Sequence, residues 1–236
     1  MHTPLSQFRA GVIAELPIMI GVIPFALIFG VLASSAGLPP YLAWSTSHFV
    51  FAGSAQFLAI PLFAEQAPPI VLIMTTAVIN LRHLLYSASL APYARHLSWL
   101  WKILLSYLLT DEAYVPTILH YQNGDVPATY KHYYWLGAGL TLWIIWQITT
   151  GIGILVGAQL PEGLGLDFTL ALTFIAMLVP TIKNWPMIAS ALTAGICAVL
   201  TINLPYRLNL IIAAVIGIAV GLGLELYQER RDALLE

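Results

Sequence analysis

From Gly11 to Ala36 the chain is almost wholly apolar, and similar runs follow nearly to its end. Each run matches the ~20 residues that an α-helix needs to cross a bilayer. Charged residues make up 8% of the chain, against about 25% in a soluble protein. A fold in water needs a charged shell. A fold in lipid must instead satisfy its backbone internally. The pattern predicts an all-α, polytopic membrane protein.

With 236 residues, a short turn after each crossing leaves room for roughly seven or eight helices. The apolar runs place them at 11–36, 41–63, 68–90, 97–120, 132–158, 167–183, 186–203 and 207–227. Turn residues separate them: Gly37-Leu38-Pro39-Pro40, Gln66-Ala67-Pro68-Pro69, Asn123-Gly124-Asp125, Leu160-Pro161-Glu162-Gly163 and Asn184-Trp185-Pro186. No linker is polar enough to divide soluble domains, so residues 1–236 form one integral membrane domain. The first run is long for the core of a signal peptide and carries only Arg9 as its basic lead. It is expected to remain as the first helix.

With eight spans and a cytoplasmic N-terminus, the lysine and arginine bias puts Arg9, Lys131, Lys183, Arg230 and Arg231 inside. It leaves Arg95, Arg207, Lys102 and Arg82 toward the other side. Two spans, 167–183 and 186–203, are short, and Asn80-Leu81-Arg82-His83 interrupts a third. At an offset of 122 residues Leu38-Pro39 falls on Leu160-Pro161, and at 123 Ile79-Asn80-Leu81 falls on Ile202-Asn203-Leu204. These few identities raise an internal repeat, with halves near 9–105 and 131–228. Interrupted apolar segments at matching places in two halves point to a transporter's binding site. A helix broken in mid-membrane frees backbone groups that only protein, water or substrate can satisfy.

Arg82 is the sharpest candidate for function. A guanidinium in an apolar run costs on the order of 3 kcal/mol by insertion scales. It reads either as a partner for a carboxylate, from substrate or protein, or as a side chain reaching for the interface. Asp111 and Glu112 adjoin each other between apolar stretches. They read as a counter-ion to Arg82 or a proton-carrying site, or as a pair at the membrane boundary. Tyr107, Asp111 and Tyr114 share one face at helical spacing. Glu15 reads as an interfacial neighbour of Arg9 or as a buried acid. Pro17 and Pro24 each remove a hydrogen bond from the first helix, so kinks are expected there, with freed carbonyls that either line a cavity or are purely structural. The second span carries Ser45, Thr46, Ser47, His48, Gly53, Ser54 and Gln56. The serines suit helix contacts; His48 could relay protons, and Gln56 could bond across helices. Gly153 with Gly157, and Gly217 with Gly221, have the spacing of close helix contacts.

A net charge of -2 gives no nucleic-acid footprint, and the one cysteine, Cys197, forms no internal disulfide. The chain has no H-E-x-x-H, G-x-S-x-G or Walker sequence, and no metal-ligand spacing. Neither a cofactor nor a metal is implied, and an ATP-driven pump is not expected within this chain.

Gly21-Val22-Ile23-Pro24-Phe25 with Phe29-Gly30, Phe51-Ala52-Gly53-Ser54-Ala55-Gln56-Phe57 and Asn80-Leu81-Arg82-His83-Leu84-Leu85-Tyr86 occur in this order. Ser89-Leu90-Ala91-Pro92, Leu109-Thr110-Asp111-Glu112 and Gly165-Leu166-Asp167-Phe168 follow. Together they resemble the AzlC/YgaZ family, the large subunit of bacterial branched-chain amino acid exporters, over nearly the whole chain. The resemblance implies export of valine, leucine or isoleucine across the bacterial inner membrane. It also implies a small, separately encoded membrane subunit of the AzlD/YgaH type. Neither follows from composition.

The expected function is secondary active export driven by the proton gradient. A zwitterionic substrate needs partners for both charges and an apolar pocket. Arg82 is expected at the carboxylate, or holding an acid that handles the proton. Asp111, Glu112 and His48 are the candidates for proton or ion coupling, with either acid also suited to the ammonium. Asn80 and Gln56 are expected to supply neutral hydrogen bonds, and Phe25, Phe51 and Phe57 the apolar wall. The rivals are a non-transporting assembly subunit, a channel and, most distantly, an intramembrane enzyme using Asp111 or His48.

Overall fold

The computed structural model describes residues 3–123, 127–159, 184–204 and 208–233, with single positions at 175 and 182. Outside these lie most of the expected span 167–183, the turn at 160–163 and the motif at Gly165-Leu166-Asp167-Phe168. Lys183, Pro205 and Arg207 also lie outside them.

Among the described residues the chain is helical. The first helix, α1 (Pro4–Ser35), begins at a reciprocal cap in which Thr3 and Ser6 each bond the other's backbone. It runs unbroken through Pro17 and Pro24. Both prolines lie on its exposed side, so the carbonyls they leave free at Ile13 and Ile20 also face outward. The buried stripe of α1 contains Gln7, Gly11, Glu15, Met19, Val22, Ala26, Phe29 and Ala33, the spacing of a single helix face.

That stripe packs on α8 (Ala128–Gly157), and the two helices run parallel. Phe8 meets Gly137, Gly11 meets Tyr134, Leu27 meets Gly153 and Val31 meets Gly157. Glycine is required here because backbone touches backbone. A Cβ on Gly30 would stand 2.5 Å from the Thr150 carbonyl oxygen and 2.6 Å from the Ile154 nitrogen. One of the two expected glycine pairs, Gly153 and Gly157, is thus spent inside the protein. Gly30→Ala should lower the melting temperature of the purified protein by several degrees, since overpacking costs about 1–3 kcal/mol. Gly21→Ala on the same helix, with nothing within 4 Å of its Cβ, should leave it unchanged.

Call the end where α1 and α8 begin proximal, and the other end distal. The segments between these helices are half-length: α2 (Pro40–Phe49), α3 (Gly53–Ala64), α4 (Pro69–Asn80), α5 (Arg82–Ala94), α6 (Trp99–Tyr107) and α7 (Asp111–Asn123). Ten residues of helix rise about 15 Å, half of a ~30 Å hydrocarbon layer. The contacts fix their paths. α5 ends proximally, where Lys131 Nζ lies 4.9 Å from the Tyr93 ring. α4 and α5 bend by only 44° about Leu81, so together they cross, and α4 starts distally. α2 follows the distal end of α1, and α3 leads by a short turn into the distal start of α4. The pair α2–α3 therefore enters from the distal end and returns to it. α6 starts beside the proximal end of α5, with Trp101 against His132. α7 ends proximally as well, where Tyr121 and Lys131 exchange hydrogen bonds. The pair α6–α7 is a second re-entrant hairpin, from the opposite end.

This changes two expectations. The segments 41–63 and 97–120 are hairpins rather than single crossings. Arg95 and Lys102 consequently lie at the proximal end with Arg9 and Lys131, not opposite them.

The last two helices, α9 (Trp185–Leu200) and α10 (Leu208–Ala233), form an antiparallel pair, with Gly217 at Ala194 and Gly221 at Ser190. Ser190 Oγ donates to the Gly217 carbonyl at 2.7 Å. Among the described residues three helices, α1, α8 and α10, are individually long and apolar enough to cross a membrane, and the bent pair α4–α5 makes a fourth. Large apolar side chains stand outward, among them Ile20 at 80% and Phe49 at 85% exposure. Such a surface suits lipid rather than water.

Candidate functional site

The tips of the two hairpins meet midway along the protein. The distal hairpin turns at Val50-Phe51-Ala52, where Phe51 takes φ +43°, a left-handed conformation that is strained for a bulky residue. The proximal hairpin turns at Leu108-Leu109-Thr110. Tyr107, the last residue of α6, donates its hydroxyl to the His48 carbonyl and accepts from Trp143 Nε1 at 2.7 Å. The break at 108–110 thus removes Tyr107 from the face it was expected to share with Asp111 and Tyr114. It serves instead as the cross-link between the tips.

Arg82 opens α5 at the kink, and its Nη1 lies 3.0 Å from Asp111 Oδ2 in the first turn of α7. The two side chains are 29% and 37% exposed, so the pair borders open space rather than a sealed core. Carboxylates in a first helical turn are also favoured by the positive end of the helix dipole. The pair heads a parallel α5–α7 contact. One turn on, Tyr86 stacks on Tyr114 at 4.7 Å, and Tyr114 donates to Ser89 Oγ at 2.9 Å. Two turns further, Tyr93 meets Tyr121 at 5.0 Å.

Between the tips lies a narrow gap of about 10 Å³, walled by Phe51, Gly53, Thr110, Asp111, Glu112 and Trp146. Two helix N-termini flank it. That of α3 carries no side-chain cap, so the N–H groups of its first turn are free to meet an anion. That of α7 holds both acids. Of the expected apolar residues, Phe51 lines the gap. Phe25 packs behind it on Gly53, Trp146 and Phe57, the last at 4.4 Å, and Phe57 is fully buried.

Gln56 ties α3 to α2. Its Nε2 donates to Ser47 Oγ at 2.9 Å and Thr46 Oγ1 at 3.2 Å, while its Oε1 has no partner. Ser47 also accepts from Trp146 Nε1, and its carbonyl accepts from Gln147 Nε2. Asn80 Oδ1 and Arg82 Nε at the kink are likewise buried without a partner. His48 places Nδ1 3.0 Å from the Trp44 carbonyl, which requires a donor there, and sits edge-on between Trp44 and Trp143.

Glu15 resolves to the second of its two readings. It is fully buried, neither carboxyl oxygen has a hydrogen-bond partner, and Glu112 and Tyr134 lie within electrostatic reach. The sequence holds the signal for this. Glu15 stands four residues after Gly11 and four before Met19, in the stripe that faces α8.

The family model described as AzlC protein matches residues 17–160. The inner membrane protein YgaZ of Escherichia coli is 26% identical over 224 residues, covering 92% of this chain and 88% of that protein. The branched-chain amino acid transport protein AzlC of Bacillus subtilis is 25% identical over 182 residues, 76% of this chain and 68% of that protein. An uncharacterized membrane protein of Archaeoglobus fulgidus is 28% identical over 187 residues, 76% of this chain and 78% of its own length. No solved structure matches the chain significantly.

Proposed function

Since the chain belongs to the AzlC family, we propose that it is a secondary active exporter of branched-chain amino acids such as valine, working outward across the inner membrane. The observation that carries this reading is the meeting of two opposed hairpin tips beside an ion pair in mid-membrane. Broken helices at that depth are tolerated where they line a substrate path.

In this reading the substrate carboxylate sits at the N-terminus of α3, which carries no side-chain cap. The ammonium sits at Asp111 or Glu112. Phe51, Leu142 and Trp146 enclose the aliphatic side chain. Arg82 does not take the substrate directly; it holds Asp111 in place. A gap of about 10 Å³ is too small for valine, so the tips must part for binding. Each hairpin is anchored at a different end, so each can open the site toward its own side. Alternating access follows from that division.

The orientation rests on charge. Arg9, Arg95, Lys102 and Lys131 gather at the proximal end, whereas the distal turns at 36–40, 64–69 and 157–159 carry Glu65 and no lysine or arginine. The positive-inside rule makes the proximal end, with the N-terminus, cytoplasmic. The acids Asp111, Glu112 and Glu15 and the imidazole of His48 are the groups available for coupling to protons. A small AzlD/YgaH-like subunit completes the complex.

Reconstituted vesicles loaded with labelled valine, with and without that subunit, test the reading. Saturable counterflow is expected, together with net valine efflux that accelerates under an imposed pH gradient. Flux that never saturates would make the protein a channel, and no flux with a fully assembled complex would make it an assembly subunit.

A further inference from the structure

A second cavity, of about 320 Å³, opens at the proximal end between α5, α6 and the start of α8. Its polar wall consists of Ser87, Arg95, Lys102, Ser106 and Trp135, and the rest is alanine and Leu105. Every charged group in this wall is a cation. Lys102 Nζ donates to the Arg95 carbonyl at 3.1 Å, which uses one of its three N–H bonds. Trp135 is 4% exposed, and its indole N–H has no partner.

The surroundings identify the source of that anion. Around the cavity, α6 turns Trp99, Leu100 and Ile103 outward, each more than half exposed. Those side chains suit lipid rather than water. Trp99 and Trp101 stand at the level where aromatic residues mark the membrane interface. The cavity therefore lies at headgroup depth, with cations at its mouth and an apolar floor that continues onto a lipid-facing surface.

We propose that this cavity binds the phosphate of an anionic phospholipid, with Arg95 and Lys102 as its donors. Phosphate oxygens accept several charge-assisted bonds at once, and basic pockets on this side of a membrane are suited to anionic headgroups. Free phosphate shares the chemistry but gains nothing from the apolar floor.

Native mass spectrometry of the full chain in detergent, titrated with phosphatidylglycerol, phosphatidylcholine or inorganic phosphate, tests this. One phosphatidylglycerol should bind at least about tenfold more tightly than phosphatidylcholine. The double variant R95Q/K102Q should reduce that preference to less than about twofold. Arg9→Gln, a cation of the same end outside the cavity, should leave it intact. Equal binding of both lipids, or equal loss in Arg9→Gln, would overturn the site. Binding of inorganic phosphate at matching affinity would overturn the lipid as its source.

Discussion

Arg82→Ala is expected to reduce valine counterflow by at least about 100-fold and to destabilise the protein by about 3 kcal/mol, because it leaves the Asp111 carboxylate without its counter-charge within apolar helices. The substitution strands Asp111 beside Glu112 in the first turn of α7, in the middle of the membrane. The dipole of α7 offsets only about 0.3–1 kcal/mol of that cost, and two adjacent acids repel. Removing both partners separates stability from function. Arg82→Met with Asp111→Leu replaces a costly pair by apolar side chains, and such exchanges are often neutral or stabilising. The double variant should therefore melt near the wild type yet remain without flux. Arg82→Lys should fall between, since an ammonium keeps the charge but loses the planar fork. Melting curves in detergent and labelled-valine counterflow check these values. Flux retained by the double variant would make the pair a packing device and nothing more.

Arg82 was legible as a problem before its partner was known, because the expense of a cation in an apolar run does not depend on the fold. Asp111 was legible for the same reason. What joins them was not. Hydropathy is averaged over a window, and a hairpin of two half-length helices averages like one crossing of the same length. The residues that mark the reversal, Val50-Phe51-Ala52 and Leu108-Leu109-Thr110, are apolar apart from Thr110 and contain no glycine or proline. Phe51 takes its left-handed conformation against local preference, because Tyr107, Trp143 and Trp146 hold the tips together. Tertiary contact decided the turn, and a single sequence does not display it. The misplacement of Arg95 and Lys102 follows from the same source, since each missed reversal exchanges the two faces for everything downstream of it. Two reversals cancel, which is why Arg9 and Lys131 were paired correctly.

Glu15 provides the second large effect. Glu15→Gln should leave valine counterflow within about threefold of the wild type but abolish the acceleration of net valine efflux by a pH gradient. Glu15→Met, of similar length and without a polar terminus, should raise thermal stability, since a buried polar group without a partner costs about 1–3 kcal/mol. The argument rests on position. The carboxyl is fully buried, and both its oxygens lack hydrogen-bond partners. Glu112 of α7 and Tyr134 of α8 are the titratable groups within its reach. An unpaired carboxylate is expensive in such surroundings, so ionising Glu15 requires the structure around it to open. Glu112 belongs to the first turn of α7, next to the acid that Arg82 holds. In the proposed transporter a change of charge at Glu15 therefore acts on the hairpin tip at the proposed substrate gap, and a proton is linked to a gate without touching the amino acid. Counterflow exchanges substrate at constant protonation and should survive the loss of the carboxyl; uphill movement should not. If Glu15→Gln still responds to the pH gradient, the proton travels through Asp111, Glu112 or His48, and the buried acid on α1 is a tolerated cost of packing.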